Sequence, residues 1–149
     1  MSRAVTAIDT NILLYALNAN APECAGAQRF LADRRDDADT VLSELSLVEL
    51  YVLLRNPAVV KKPLSAAQAT QTVGSFRRHP RWRLIDHAPA AMDEVWRRAG
   101  QGTFARNRIF DVRFALGLRL HGVTHLATRN VRDFGDLGFT EVFDPLATT

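Results

Sequence analysis

Short apolar segments alternate with amphipathic ones along the whole chain, and this alternation constrains the fold more than any other feature. The predicted strands are 4–8, 40–43, 82–86, 124–128 and 140–144. Strands that alternate with helices are typical of an α/β protein whose parallel sheet is covered by helices on both faces. With 149 residues, the chain suits one domain spanning 1–149.

Capping residues set the expected ends of several helices. Ser43 is better placed than Ser46 to cap a helix over 44–55, which ends before an Asn-Pro pair. A helix over 111–122 is expected to close at its final glycine, because glycine tolerates the left-handed conformation that ends many helices.

Cysteine usage and hydropathy favour a cytoplasmic protein with no membrane association. The single cysteine, Cys24, excludes an internal disulfide and is typical of a reducing compartment, where it acts as a small apolar filler. No apolar run approaches the ~20 residues of a membrane span. The first residues also lack the apolar region of a secretory signal.

Positive charge is concentrated in the middle and later parts of the chain. Residues 55–132 carry 15 Lys and Arg against 4 Asp and Glu, whereas the rest of the chain carries 4 basic and 12 acidic side chains. Of the 19 cations 17 are arginine, which binds phosphate through two parallel hydrogen bonds. A polyanionic partner would explain this distribution. Arginines that lie on solvent-exposed helix surfaces without any binding role would explain it equally well.

Four carboxylates stand near the predicted carboxyl ends of strands, the edge at which α/β proteins bind ligands. Asp9 follows the first strand, Glu49 projects from the helix after the second, and Asp133 follows the fourth, while Asp111 opens a helix. Each has a structural alternative as well. Asp9 and Asp111 could cap helices, Glu49 could form a capping box with Ser46, and Asp133 could stabilise a turn.

Glu49 is the least expected of these acids, because its neighbours on the helix surface are Leu45, Val52 and Leu53. A glutamate on such an apolar row is expected to lose water or to find a cation. Crowded carboxylates repel one another, and a divalent cation removes that penalty. Ligands that are all oxygen favour Mg²⁺ or Mn²⁺, and the scattered histidines give no support to zinc.

The chain resembles the PIN-domain family in four segments that occur in the family's order, namely AIDTNILLYAL, SLVELYVLLRNP, FDVRFALGLRLHGVTHLATRNVRDF and GFTEVFDPL. It looks most like the VapC-type branch, the ribonuclease toxins of type II toxin–antitoxin systems. The resemblance covers nearly the whole chain and implies an α/β/α sandwich on a mainly parallel five-stranded sheet.

The resemblance also implies site residues. The family's acidic positions correspond to Asp9, Glu49 and Asp111, and the fourth corresponds to either Asn130 or Asp133. Supporting roles, which orient ligands or water, fall on Thr10, Asn11, Thr128 and Asn130.

The implied activity is endonucleolytic cleavage of RNA, dependent on Mg²⁺ or Mn²⁺. Asp9 and Asp111 are expected to ligate the metal, which activates a water molecule for attack on phosphorus. Glu49 and Asp133 are expected to act through water or to position the nucleophile. Transfer RNA or ribosomal RNA is the implied substrate class, and a small cognate antitoxin and a second copy of the chain are the implied partners. A groove between VELYVLLR and ATQTVGSF is the expected docking place of the antitoxin.

RNA contacts would come from arginines and aromatic side chains. The candidates are Arg77, Arg78, Arg81, Arg83, Arg106, Arg108 and Arg129, with Trp82, Phe104 and Phe110 for stacking on bases. For Trp82, burial beside the third strand is an equally good explanation.

Two other functions are compatible with the sequence. A catalytically silent PIN-like protein would bind RNA or a partner without cleavage. A phospho-accepting receiver-like module would also place an aspartate pocket at the strand ends, but it needs a lysine after a late strand, and Lys61 and Lys62 are the only lysines.

Overall fold

The computed structural model describes residues 3–147, and within them five short strands form one sheet in which every pairing is parallel. The strands are β1 (Thr6–Ile8), β2 (Thr40–Ser43), β3 (Arg83–Ile85), β4 (His125–Ala127) and β5 (Glu141–Phe143). Their order in the sheet is β3-β2-β1-β4-β5. All five predicted strands are confirmed, and none extends beyond its predicted range.

Helices fill the connections between strands, as the alternation predicts. They are α1 (Thr10–Leu17), α2 (Cys24–Asp33), α3 (Glu44–Leu54), α4 (Ala66–Arg77), α5 (Met92–Ala99), α6 (Arg108–Leu120) and α7 (Val131–Phe134). None of the helices within residues 3–147 has the length and apolar character needed to cross a lipid bilayer.

The surroundings of Asp111 and Asp133 differ from the sequence-based expectation. Helix α6 begins at Arg108 rather than at Asp111, because the intervening residues continue the helix and nothing among them breaks it. Asp111 therefore lies in the first turn, where its charge favours the positive end of the helix dipole, and it is not the N-cap. Asp133 lies in the short helix α7 rather than in an irregular loop.

The core forms on both faces of the sheet because successive strand residues point to opposite sides. Ala7 and Val41 pack with α5, α6 and α7 on one face. Ile8 and Leu42, the next residue in each strand, pack with the helices from α1 to α4 on the other. This three-layer arrangement is the expected α/β/α sandwich.

The sheet order places a crevice at the carboxyl end of β1. From β1 the chain first builds β2 and β3 on one side, and later adds β4 and β5 on the other. The connections therefore diverge between β1 and β4, which is where parallel α/β sheets open a binding crevice. Asp9 follows β1 at this point, and its backbone N–H donates to the carbonyl of Ala127 at the end of β4, at 2.9 Å.

A pair of glycine substitutions tests the end of α6. Gly122 follows the helix with φ of +87°, so Gly122→Ala should lower the free energy of unfolding by about 1 kcal/mol. Gly117 lies inside the same helix in open space, so Gly117→Ala should raise it by up to about 1 kcal/mol. Urea titration of both variants measures the two changes, and equal effects would contradict the assigned helix end.

Candidate active site

One cleft at the carboxyl edge of the sheet collects acids from three distant segments. Asp9, Glu49 and Asp111 all line this cleft, which has a volume of about 420 Å³. Asp9 arrives at the end of β1, Glu49 from the middle of α3, and Asp111 from the first turn of α6. The structure therefore brings these three predicted site residues together.

Both oxygens of the Asp9 carboxylate are held by hydrogen bonds. Oδ1 accepts the backbone N–H of Thr10 at 2.8 Å, and Oδ2 accepts the hydroxyl of Thr128 at 2.8 Å. The Thr128 hydroxyl itself accepts the backbone N–H of Asn130 at 3.0 Å, so its proton is directed toward Asp9. The capping alternative for Asp9 is confirmed, and the same carboxylate also faces the cleft.

The Asp9 carboxyl group is a weaker acid than an ordinary aspartate. Its burial raises its pKa from 3.8 to about 6, although the hydrogen bonds from Thr128 and Thr10 act in the opposite direction. The negative charges of Glu49 and Asp111 also contribute to this increase in the pKa. A carboxylate buried among other carboxylates is the electrostatic condition that a bound cation relieves.

Glu49 differs from the expectation of a buried glutamate on an apolar row. The residue is exposed, and its neighbour Val52 is also exposed, so this side of α3 is not a core face. Ser43 caps α3 by accepting the N–H of Leu45 at 3.2 Å, so Glu49 has no part in a capping box. Instead, Glu49 Oε2 accepts the hydroxyl of Thr10 at 3.0 Å, which turns its carboxylate toward the cleft.

Asp111 and Asp133 lie close enough to influence one another. Burial raises the pKa of Asp111, the charge of Asp133 raises it further, and the guanidinium of Arg108 partly offsets both. Asp133 itself is exposed on α7 and does not line the cleft, whereas Asn130, just before α7, does. The two candidates for the fourth position therefore flank the site in different ways.

Asn11 ties the loop after β4 to the start of α1. Its Oδ1 accepts the backbone N–H of Arg129 at 3.3 Å, and its Nδ2 donates to the hydroxyl of Thr128 at 3.5 Å. Asn11 lines the cleft as well. Three consecutive residues, Asp9, Thr10 and Asn11, therefore form one wall of the cleft.

None of the four acids forms an ion pair with a basic side chain within residues 3–147. Two arginines near the cleft bind other carboxylates, since Arg108 pairs with Asp136 and Arg129 pairs with Asp144. No direct ion pair therefore neutralises these four acids among the described residues.

The donor set fits a hard divalent cation held in an open site. In the part of the chain described, no three side chains of the His, Cys, Asp or Glu type stand close enough together to enclose a metal ion. Mg²⁺ does not require such an enclosure, because it commonly keeps several waters and takes only one or two carboxylates from the protein. Asp9 and Asp111 offer two carboxylates of this kind.

Most of the residues predicted to contact RNA have structural partners. Arg77 pairs with Glu44, and Arg83 donates to a backbone carbonyl. The Trp82 indole N–H donates to the carbonyl of Arg34 at 2.8 Å, and the half-buried side chain packs beside the third strand, as the alternative explanation expects. Of the predicted aromatic contacts, only Phe110 lies in the cleft with its side chain exposed.

Sequence reasoning missed two residues beside the cleft. Arg113 lines the cleft one helical turn beyond Phe110, and Trp96 on α5 shares a neighbouring cavity with both. The helical spacing of Phe110 and Arg113 could have shown that Arg113 lies on the same face of α6 as Phe110. The position of α5, and with it of Trp96, could not be read from the sequence.

The expected antitoxin groove lies between two helices, α3 and α4, that pack against one another. A largely apolar cavity of about 340 Å³ lies beside them, where Leu54 and Thr72 meet the ends of α1 and the loop containing Lys61 and Lys62.

Sequence comparison decides the family. Ribonuclease VapC24 of Mycobacterium tuberculosis is 50% identical to this chain over 141 residues, which cover 95% of this chain and 97% of the relative, in strains CDC 1551 / Oshkosh and H37Rv alike. The chain belongs to the VapC family. This membership confirms the resemblance seen in the four sequence segments. No protein-family model matches the sequence.

Solved structures share the VapC fold at low sequence identity. VapC20 of Mycobacterium tuberculosis, a toxin that cleaves the sarcin-ricin loop, has a TM-score of 0.64 at 18% identity and covers 91% of this chain and 96% of its own. FitAcB from Neisseria gonorrhoeae has a TM-score of 0.62 at 19% identity, with 96% and 99% covered. A toxin–antitoxin complex from Klebsiella pneumoniae has a TM-score of 0.57 at 20% identity, with 94% and 97% covered.

Asp9→Asn tests the burial of the charged carboxylate through pH. The folded state holds the Asp9 proton more tightly than the unfolded chain, so ionisation of Asp9 costs folding free energy above its pKa of about 6. That cost fades as the pH falls toward 3.8. Relative to the unmodified chain, the variant should therefore gain about 2 kcal/mol of stability between pH 4 and pH 7.5.

Denaturant titrations in EDTA at several pH values measure this difference. The lost acceptor for the Thr128 hydroxyl adds a constant cost to the variant and leaves the pH dependence unchanged. Asp93→Asn, which removes an exposed acid on α5, is the matched control and should show no such trend. Parallel stability profiles for Asp9→Asn and the unmodified chain would contradict the raised pKa.

Proposed function

We propose that this chain is a Mg²⁺- or Mn²⁺-dependent endoribonuclease that hydrolyses RNA phosphodiester bonds in the cytoplasm, as the toxin of a VapBC-type toxin–antitoxin pair. The observation that supports it most is the cleft in which Asp9, Glu49 and Asp111 meet without ion pairs among the described residues. The relative named ribonuclease VapC24 supports the substrate class. A silent RNA-binding protein would have no need of a buried, charge-repelled carboxylate.

Asp9 and Asp111 hold the metal in this proposal. The hydrogen bonds from Thr10 and Thr128 fix the plane of the Asp9 carboxylate, so its remaining lone pairs face the cleft in one orientation. A divalent ion held by these residues would make water more acidic near neutral pH and would offset negative charge on the phosphate. Ordered carboxylates lower the cost of reorganisation during the reaction.

Glu49 and Asp133 act one step further from the metal. Glu49, oriented by the Thr10 hydroxyl, holds a water molecule at the open side of the cleft and accepts its proton. Asp133 increases the negative potential at Asp111 from outside the cleft. Asn130 supplies the cleft wall at the fourth position and leaves the charge there to Asp133.

The proposed partners follow from the VapC family and from exposed surfaces. An antitoxin fits the solved toxin–antitoxin assemblies, and the apolar cavity beside α3 and α4 is its proposed contact surface. A homodimer is supported by the side chains of Val48 and Val52 on α3, which are 59% and 57% exposed. Transfer RNA or ribosomal RNA is the proposed substrate.

Asp9→Asn and Asp111→Asn test the metal-dependent mechanism. Each removes a proposed metal ligand at nearly unchanged volume, so each should abolish cleavage of a structured RNA while the far-UV circular dichroism stays the same. Mg²⁺ or Mn²⁺ should raise the Tm of the unmodified chain and of the Asp93→Asn control, but not that of Asp9→Asn. Cleavage by the unmodified chain in EDTA, or by Asp9→Asn in Mg²⁺, would count against the proposal.

Glu49→Gln and Asp133→Asn test the indirect roles. Groups that act beyond the metal ligands typically contribute 10- to 100-fold, so each variant should lower the rate of cleavage by roughly that factor and leave measurable activity. Single-turnover cleavage assays provide the rates. Complete loss of cleavage in Asp133→Asn would instead place this residue among the direct ligands.

A further inference from the structure

A second cavity adjoins the acidic cleft on the side of α5 and α6. It has a volume of about 340 Å³ and is lined by His87, Met92, Trp96, Ile109, Phe110 and Arg113. Phe110 and Arg113 also line the acidic cleft, so the two spaces lie side by side and share these residues as a wall. Phe110 directly precedes Asp111, which places the start of this cavity next to a proposed metal ligand.

Two aromatic side chains in this cavity are unusually accessible. Phe110 is 68% exposed and Trp96 is 61% exposed, the highest values among the large hydrophobic side chains of the described residues. Neither ring takes part in an aromatic pair there, in contrast to Trp82, which stacks on His79 at 3.9 Å between ring centroids. Neighbouring exposed aromatic side chains of this kind are typical of a ligand-binding groove or an interaction surface.

Arg113 supplies an available positive charge at the junction of the two spaces. It makes no ion pair with a carboxylate within residues 3–147, and its Nη2 lies 3.3 Å from Nδ1 of His87. The other arginine near Asp111, Arg108, is already bound to Asp136. Because Arg113 and Phe110 are three residues apart on α6, their side chains share one face of the helix.

We propose that this cavity, which we call the Phe110 pocket, binds one unpaired nucleotide of the RNA substrate beside the scissile bond. The base stacks on Phe110 and Trp96, and Arg113 holds the adjoining phosphate. This inference rests on the proposed ribonuclease function and adds the requirement that the nucleotide next to the cut is unpaired.

The combination of rings and cation favours a nucleotide over an apolar occupant. Base faces stack on aromatic side chains, and a guanidinium binds phosphate in a bidentate manner. An apolar peptide would use the rings but would leave Arg113 without a partner. The wall shared with the acidic cleft also places the occupant next to the proposed metal ligands.

Binding in EDTA tests the Phe110 pocket without requiring cleavage. The probes are a mixed-sequence single-stranded 12-nucleotide RNA and the same RNA paired with its complement. Phe110→Ala should weaken binding of the single strand by about 5- to 150-fold, the range for loss of one stacked base, and should change duplex binding little. Leu120→Ala, which truncates another exposed apolar side chain of α6, is the matched control and should bind normally.

Arg113→Ala should weaken binding and reduce the slope of log affinity against log salt by about 0.7, the value for one phosphate contact on a single strand. Arg29→Ala removes an exposed charge on α2 and should leave this slope unchanged. The RNA should quench tryptophan fluorescence in the unmodified chain more than in Trp96→Phe, since the remaining Trp82 is half-buried and hydrogen-bonded.

Three results would overturn the Phe110 pocket. The first is equal RNA binding by Phe110→Ala and Leu120→Ala, and the second is RNA quenching that does not depend on Trp96. The third is Trp96 emission that changes with protein concentration, because a second copy of the chain would then cover this residue. Light scattering of Phe110→Ala identifies the last case.

If Asp9→Asn cleaves RNA while Phe110→Ala fails to bind it, the metal mechanism fails and the pocket stands. If Asp9→Asn is inactive and Phe110→Ala binds and cleaves normally, the mechanism stands and the pocket fails.

Discussion

The site depends on a charged carboxylate that the fold keeps at the end of a buried strand. Asp9 is anchored on one side by the start of α1 and on the other by Thr128, at the end of the neighbouring strand β4. These two contacts can form together only because β1 and β4 are adjacent and parallel. The order of the strands therefore determines the orientation of this carboxylate, and through it the geometry of the cleft.

Asp9 serves the fold and the site at the same time, and the two roles oppose one another energetically. As an N-cap it satisfies a backbone N–H at the start of α1, which stabilises the helix. As a buried anion near Glu49 and Asp111 it raises the free energy of the folded state. A bound cation or a bound basic side chain would relieve the second effect without disturbing the first. The folded state is thus less stable than it would be without these crowded negative charges, and a bound cation would restore part of the lost stability.

The alternation of strands and helices was sufficient to predict the sheet, because burial on both faces makes the central strands β1 and β2 short apolar runs. It also located Asp9, since a carboxylate directly after such a run lies at the edge of the sheet. The sequence did not predict that Glu49 is exposed. Helical spacing identifies a row of residues on the helix surface, but it does not tell which row meets the core. The start of α6 was missed for a related reason: Arg108 and its neighbours are acceptable in a helix or in a loop, and only tertiary packing decides. The proximity of Trp96 to the cleft depends on how α5 packs on α6, which no local pattern contains.

An acidic cleft is compatible with the proposed RNA substrate when the arginines around it are considered one by one. Arg77, Arg108 and Arg129 are bound to carboxylates of their own, so much of the positive charge implied by composition is already neutralised. Arg113 is different, because it stands at the edge of the cleft beside exposed aromatic rings and has no carboxylate partner among the described residues. For the RNA substrate we propose, affinity would arise at the margin of the cleft, from Arg113 and from stacking on the exposed rings. The acids at the centre of the cleft would then be left to hold the proposed metal.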